Sequence, residues 1–263
     1  MTELCCLRLA AVSSFEQASD DLELLCGIRV SRSSIERIVE RNPISAVESP
    51  ETVHEISLDG GMVRLRTPKG KPAEWKEYKA VRLNGDGSAS AWFKNNPALL
   101  RWTQTLVWAS LVYCLGDGHC GVWSLFAQMT GMKAREEILD WFHLKENLHK
   151  VGGSLKRLNQ AEALLWKGQV DEAIALFEGL QKDQARKFRN YLGEHRERIP
   201  NYDYYQSEGI PIGSGSVESL VKQIDQRLKI TGASWKAERV PQMLALRCSY
   251  INRELELHSL TRG

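Results

Sequence analysis

Three acidic residues stand where a carboxylate could do more than meet solvent: Asp59 in SLDGGM, Asp117 in CLGDGH and Glu218 in SGSVESL. Both aspartates follow apolar runs and are flanked by glycine. A D-G pair alone is a turn signal. An acid that closes an apolar run, however, sits at the mouth of a sheet, where backbone without side chains leaves room for a ligand. Two aspartates and a glutamate are all oxygen donors, the set that magnesium or manganese takes together with water and phosphate oxygens. Two such ions about 4 Å apart clamp the attacking and leaving oxygens of a phosphodiester exchange.

Glu218 also admits plainer accounts. An acid in the first turn of a helix meets the positive end of the macrodipole, worth under ~1 kcal/mol at a surface. Lys222, four residues on, is spaced to pair with it. Capping fits poorly: with Ser216 as N-cap the reciprocal position is Ser219, and Gly215 has no side chain to complete a box with Glu218. The alternative is that a Gly-Ser turn delivers the carboxylate to the flank of a helix whose stripe, Val217, Leu220, Val221, Ile224 and Leu228, packs on a sheet.

The elements that would position these acids follow from periodicity. Residues 3 to 41 read as helices, with two amphipathic segments separated by Gly27 and a restart at SRSS, which is helix-turn-helix grammar. In the second segment Ile35, Ile38 and Val39 mark one face, while Arg32, Arg37 and Arg41 project elsewhere, as a groove-reading helix requires; a small packing pair of helices is the competing reading. Pro43 and Pro50 mark a linker. The period then shortens: HEISLDGGMVRLRT, EWKEYKAVRLN and SASAWFKN read as three consecutive strands, a meander. A helix near ALLRWTQTLVWAS, a strand at LVYCL, a helix through VWSLFAQM and a strand at EILDWFHL imply parallel pairing with a crossover. Residues 144 to about 198 read as helical, and NYDYYQSEGIPIGSGS as a return loop. The expected class is α/β: a ribonuclease-H-like mixed sheet with an all-helical insertion and an N-terminal helix-turn-helix-like segment. The segments are 1–42 (DNA-binding), 43–54 (linker), 55–143 (first part of the core), 144–209 (insertion) and 210–263 (C-terminal helices of the core).

The chain has 263 residues, 43% hydrophobic and 26% charged, enough for a sizeable core. A net charge of +2 does not by itself argue for nucleic acid, so that case rests on local clusters. Between 220 and 240, Lys222, Arg227, Lys229, Lys236 and Arg239 face only Asp225 and Glu238, and Trp235 sits among them. Such basic side chains bind phosphate and an exposed indole stacks on a base; a solvated face with one core tryptophan is the other reading. The six cysteines lack the density and spacing of a disulfide framework, and Cys114, His119 and Cys120 lack a second ligand pair for zinc. No apolar run is long enough to span a bilayer, and cysteines of this kind suit a reducing compartment, so the expected location is cytoplasmic.

From about residue 3 to 255 the chain also resembles bacterial insertion-sequence transposases of the ISKra type, whose ribonuclease-H-like core carries an Asp, Asp, Glu metal triad. The resemblance rests on LDGGMVRLRTPKG, CLGDGHCGVWSLF, ILDWFHLKENLHKVGGSLKRL and IGSGSVESLVKQIDQRLKITGASW. It implies a triad at Asp59, Asp117 and Glu218 holding magnesium or manganese, with Asp140 and His143 of LDWFH as an accessory Asp-x-x-His element. It implies nicking at an element's terminal inverted repeats and strand transfer to target DNA, by a homo-oligomer assembled on double-stranded DNA. Members of that family generally carry sequence ahead of the part matching Thr2 onward, so an N-terminally short copy is expected. A remnant that binds element DNA without cutting it, and a nuclease of the same fold, are the alternatives.

Overall fold

A computed structural model describes residues 2–44, 51–85 and 87–255. Helices α1 (Thr2–Val12), α2 (Phe15–Cys26) and α3 (Arg32–Arg41) come first, then strands β1 (Val53–Leu65), β2 (Glu74–Leu83) and β3 (Ala89–Phe93). Helix α4 (Asn96–Thr103), β4 (Trp108–Gly116), α5 (Cys120–Thr130) and β5 (Ala134–Leu139) alternate. The remainder is helical: α6 (Trp141–Lys150), α7 (Leu155–Trp166), α8 (Val170–Ala175), α9 (Asp183–Glu194), α10 (Tyr202–Ser207), α11 (Gly215–Leu228) and α12 (Val240–Ile251).

The class is α/β. Among the described residues the strands form a five-stranded mixed sheet in the order β3-β2-β1-β4-β5. Strands β2 and β3 pair antiparallel, whereas β1 with β4 and β4 with β5 are parallel. No helix among the described residues is long and apolar enough to cross a membrane.

Two compact units divide the chain. One comprises Met1–Glu51, Asp59–Val107 and Val217–Gly263; the other comprises Thr52–Leu58 and Trp108–Ser216. Strand β1 and helix α11 each run from one unit into the other. In the first unit the expected stripe of α11, Val217, Leu220, Val221, Ile224 and Leu228, is buried with Val63, Tyr78, Ala80 and Leu244 in one core. A second core joins α1, α2 and α3 through Leu7, Leu22, Ile35 and Val39 to Met243 and Leu246 of α12. Burial of such apolar surface contributes roughly 25 cal/mol per Å². The other unit buries Val112, Cys114 and Leu115 of β4, Phe126 of α5 and Ile138 of β5.

Three local expectations are corrected. Trp108–Ser110 extends β4 instead of prolonging α4. Asn95 caps α4, and the hydroxyls of Thr103 and Thr105 donate back to the carbonyls of Leu100 and Trp102, closing its last turn. The strand read at EILDWFHL stops at Leu139, because the Asp140 side chain accepts the His143 N–H at 2.7 Å and starts α6. The return loop contains a helix, α10, whose cap Asn201 accepts the Tyr204 N–H at 3.1 Å. Residues 45–50 of the expected linker and 256–263 of the last segment lie outside the described residues, and Val53 already belongs to β1.

Candidate active site

In the second unit, β1, β4 and β5 run parallel, with Ser57 paired in register with Leu115 and Gly116 with Leu139. Asp117 is the first residue past β4 and Asp140 the first past β5. The Asp140 N–H donates to the Gly116 carbonyl at 2.8 Å, so the two strand ends are tied together.

Asp117 is half-buried, and its carboxylate accepts the His119 N–H at 2.9 Å. His119 in turn caps α5, its Nδ1 accepting the Gly121 N–H at 3.2 Å. The turn between them needs glycine: Gly118 has φ +95°, and a Cβ there would lie 2.9 Å from the Tyr191 hydroxyl. Tyr191 packs edge-on against His195, their ring centroids 4.6 Å apart. His195 is buried, and that burial lowers its pKa below the ordinary imidazole value.

Asp140 is fully buried. One carboxylate oxygen takes the N–H and hydroxyl of Ser214, and the other takes the N–H of His143, whose Nδ1 lies 3.3 Å away. Burial alone pushes this carboxyl up, but the bonds from the His143 ring, the Ser214 N–H, the His143 N–H and the Ser214 hydroxyl outweigh it and hold its pKa below the usual value. Asp140 therefore anchors the segment that leads into α11, and the Trp141 N–H reinforces this by donating to the Ile212 carbonyl at 3.0 Å. At the far end of that segment Ser216 Oγ lies 3.3 Å from Ser57 Oγ.

Ser57 is thus a common reference: it is in register with Leu115 on β4 and within hydrogen-bond distance of Ser216. Asp59, Asp117 and Glu218 each follow one of these three residues by two positions along the chain. Asp59 is not at the end of its strand, since β1 continues to Leu65. The glycines after it serve packing. A Cβ on Gly61 would lie 2.2 Å from the Tyr78 ring, whose hydroxyl reaches Asp225 at 2.8 Å. Glu218, 30% exposed in its side chain, lies 3.8 Å from Lys222, the spacing anticipated for an i, i+4 pair.

The residues read as nucleic-acid contacts divide. Arg32 and Arg37 are exposed on α3, opposite the buried Ile35 and Val39, and Arg37 Nε donates to the Ser33 carbonyl at 3.2 Å. Lys222 and Lys236 are exposed, and Lys229 pairs with Asp225 at 2.6 Å. Arg227 is no surface cation: it is 2% exposed and donates from Nε to the Ala10 carbonyl at 2.6 Å. Trp235 is half-buried, its indole N–H donating to the Leu228 carbonyl at 2.9 Å. Its backbone bonds to Arg64 and Arg66 beside β1. Sequence reasoning overlooked Ser57 and Ser214 and weighed Ser216 only as a helix cap, although the GSGS run was the signal for two of them.

Comparison of the sequence with protein-family models and with curated proteins finds no match to either.

Proposed function

We propose that the chain is a metal-dependent DNA transposase built on a ribonuclease-H-like sheet, acting on the terminal inverted repeats of its own element. The strand order β3-β2-β1-β4-β5, with three consecutive strands on one side and two parallel crossover strands on the other, supports that fold reading. The observation that carries the functional reading is the register of Ser57 with Leu115 on parallel strands, each two residues ahead of an aspartate.

Asp59, Asp117 and Glu218 fit magnesium or manganese by their chemistry: three half-buried oxygen donors, with no thiol among them. When bound, the ions would activate water and then the 3′-hydroxyl and stabilise the departing oxygen. The protein's own part is positional. Ser57 and Leu115 hold two strands in register, the His119 N–H orients Asp117, and Asp140 fixes Ser214 so that α11 starts from a set point. Exposed Arg32, Arg37, Lys222 and Lys236 supply cations for the phosphate backbone.

Purified protein given a labelled terminal repeat tests this. Nicking at the repeat end that requires magnesium or manganese, and that Glu218→Gln abolishes while repeat binding persists, is the expected outcome. Binding without nicking by the unmodified chain would make it a DNA-binding remnant, and cutting indifferent to the end sequence would make it a nuclease.

A further inference from the structure

A cavity of about 600 Å³ lies wholly within the first unit, walled by α2, α3 and the loop 230–236. Arg227 lines it. The guanidinium is wedged between two rings, 5.3 Å from the centroid of Phe15 and 5.1 Å from that of Trp235, and Nε is committed to Ala10. Nη2 is buried and has no hydrogen-bond partner within the protein. Burial first, and the neighbouring Arg247 second, hold its pKa down at about 10, so it remains a cation at neutral pH. An unpaired charge taken out of water is expensive, and an anion supplied from the cavity side offsets that cost.

The rest of the lining favours an anion. Arg239 bonds to Glu36 at 3.1 Å and also contacts Glu40, one cation shared between the two acids of α3. Arg32, Arg66 and Lys236 join Arg227 and Arg239 against Glu16, Glu36, Glu40 and Glu238, five cations to four acids. Arg66 is steadied by donating to the Ser234 carbonyl at 3.1 Å. The set carries a net positive charge, and a small carboxylate leaves most of the space and several donors unused. A guanidinium fork suits the several oxygens of a phosphate, and pockets of about 300–1,000 Å³ hold ligands of nucleotide size.

We propose that this cavity is a binding site for a phosphate monoester of nucleotide size, with Arg227 as its central cation. The ligand is either a free nucleotide or the 5′-phosphorylated end of a DNA strand, which share that chemistry. The site uses none of the three acids assigned to metal.

Calorimetric titrations in EDTA separate this site from nicking, since no divalent ion is then present. The probes are inorganic phosphate, a deoxynucleoside monophosphate, the same nucleoside without phosphate, and a short 5′-phosphorylated oligonucleotide. The monophosphate should bind and the nucleoside should not. Arg227→Met should weaken binding about tenfold or more. Because Arg227 is also a buried strut, Thr231→Trp on the exposed loop provides a second test by filling the cavity mouth, and it should block binding with the fold intact by circular dichroism. Tighter binding of the oligonucleotide than of the monophosphate identifies a strand end as the ligand, and equal or weaker binding a free nucleotide. No binding of any phosphate probe by the unmodified protein, or undiminished binding by Thr231→Trp, overturns the proposal.

Discussion

Asp117 follows β4 and Asp140 follows β5, and the residues before them, Gly116 and Leu139, are paired in register. From sequence the two acids look alike: each ends an apolar strand and precedes a helix. Their surroundings differ. The oxygens of Asp140 are taken up by Ser214 and His143, and the residue is buried. Asp117 is half-buried, and the one hydrogen bond described for its carboxylate orients a turn. A carboxylate whose lone pairs the protein fills is a structural anchor; one that keeps acceptor capacity beside solvent can hold a cation.

Replacing each acid by its amide tests that contrast most severely. Asp117→Asn should leave the unfolding free energy from urea titration nearly unchanged, within about 0.5 kcal/mol, as expected away from buried networks. It should cut repeat-end nicking by more than about 100-fold, since even partners outside the ligand shell cost 10–100-fold. Equal nicking by Asp117→Asn and the unmodified chain would remove Asp117 from the metal set.

Asp140→Asn should act chiefly through stability. The amide nitrogen cannot accept from the Ser214 N–H and hydroxyl, so buried donors lose their partner at a cost of about 2–4 kcal/mol. Urea unfolding measures this, and an unshifted midpoint would show that Ser214 is satisfied some other way. Any loss of nicking should then follow the population of folded protein.

The contrast was only partly legible in the sequence. Alternating apolar residues located β1 to β3, and the 3.6-residue stripe of α11 appeared as read, because both patterns report burial on one face. The same stripe contained a warning about Arg227. It falls three residues after Ile224, on the buried side, yet charge composition suggested a surface contact. Asp140 was paired with His143 only through the resemblance, although an Asp followed three residues later by a helix interior is an N-cap pattern. What no pattern could supply was the pairing of Ser214 with Asp140. That bond joins residues 74 positions apart, and a partner that distant leaves no local periodicity to read.

Acid should expose the anchor as well. The Asp140 carboxyl is held below its ordinary value of 3.8, so the unfolded chain binds its proton first as pH falls. Stability from this group is fully present above about pH 4, the unfolded value, and is lost as pH drops through the lower folded one. Urea midpoints from pH 6 to 3 should fall less steeply in Asp140→Asn than in the unmodified chain. Parallel curves would mean that the Asp140 network contributes nothing to acid sensitivity.

His143 should show the smallest effect, and it marks where the comparison is finest. Its backbone N–H caps α6 through Asp140 and survives any side-chain change, so only the imidazole contact at 3.3 Å is at stake in His143→Ala. With 35% of the side chain exposed, water replaces part of what is lost, and the expected cost is about 1 kcal/mol or less. If the ring did nothing but brace Asp140, nicking per folded molecule would be unchanged. As an accessory to the proposed site it should slow nicking about tenfold, the lower end of what partners outside a ligand shell contribute, with repeat binding intact. Nicking rates corrected for folded fraction decide between the two. An unchanged rate would place His143 on the Asp140 side of the contrast, as part of the anchor and not of the chemistry.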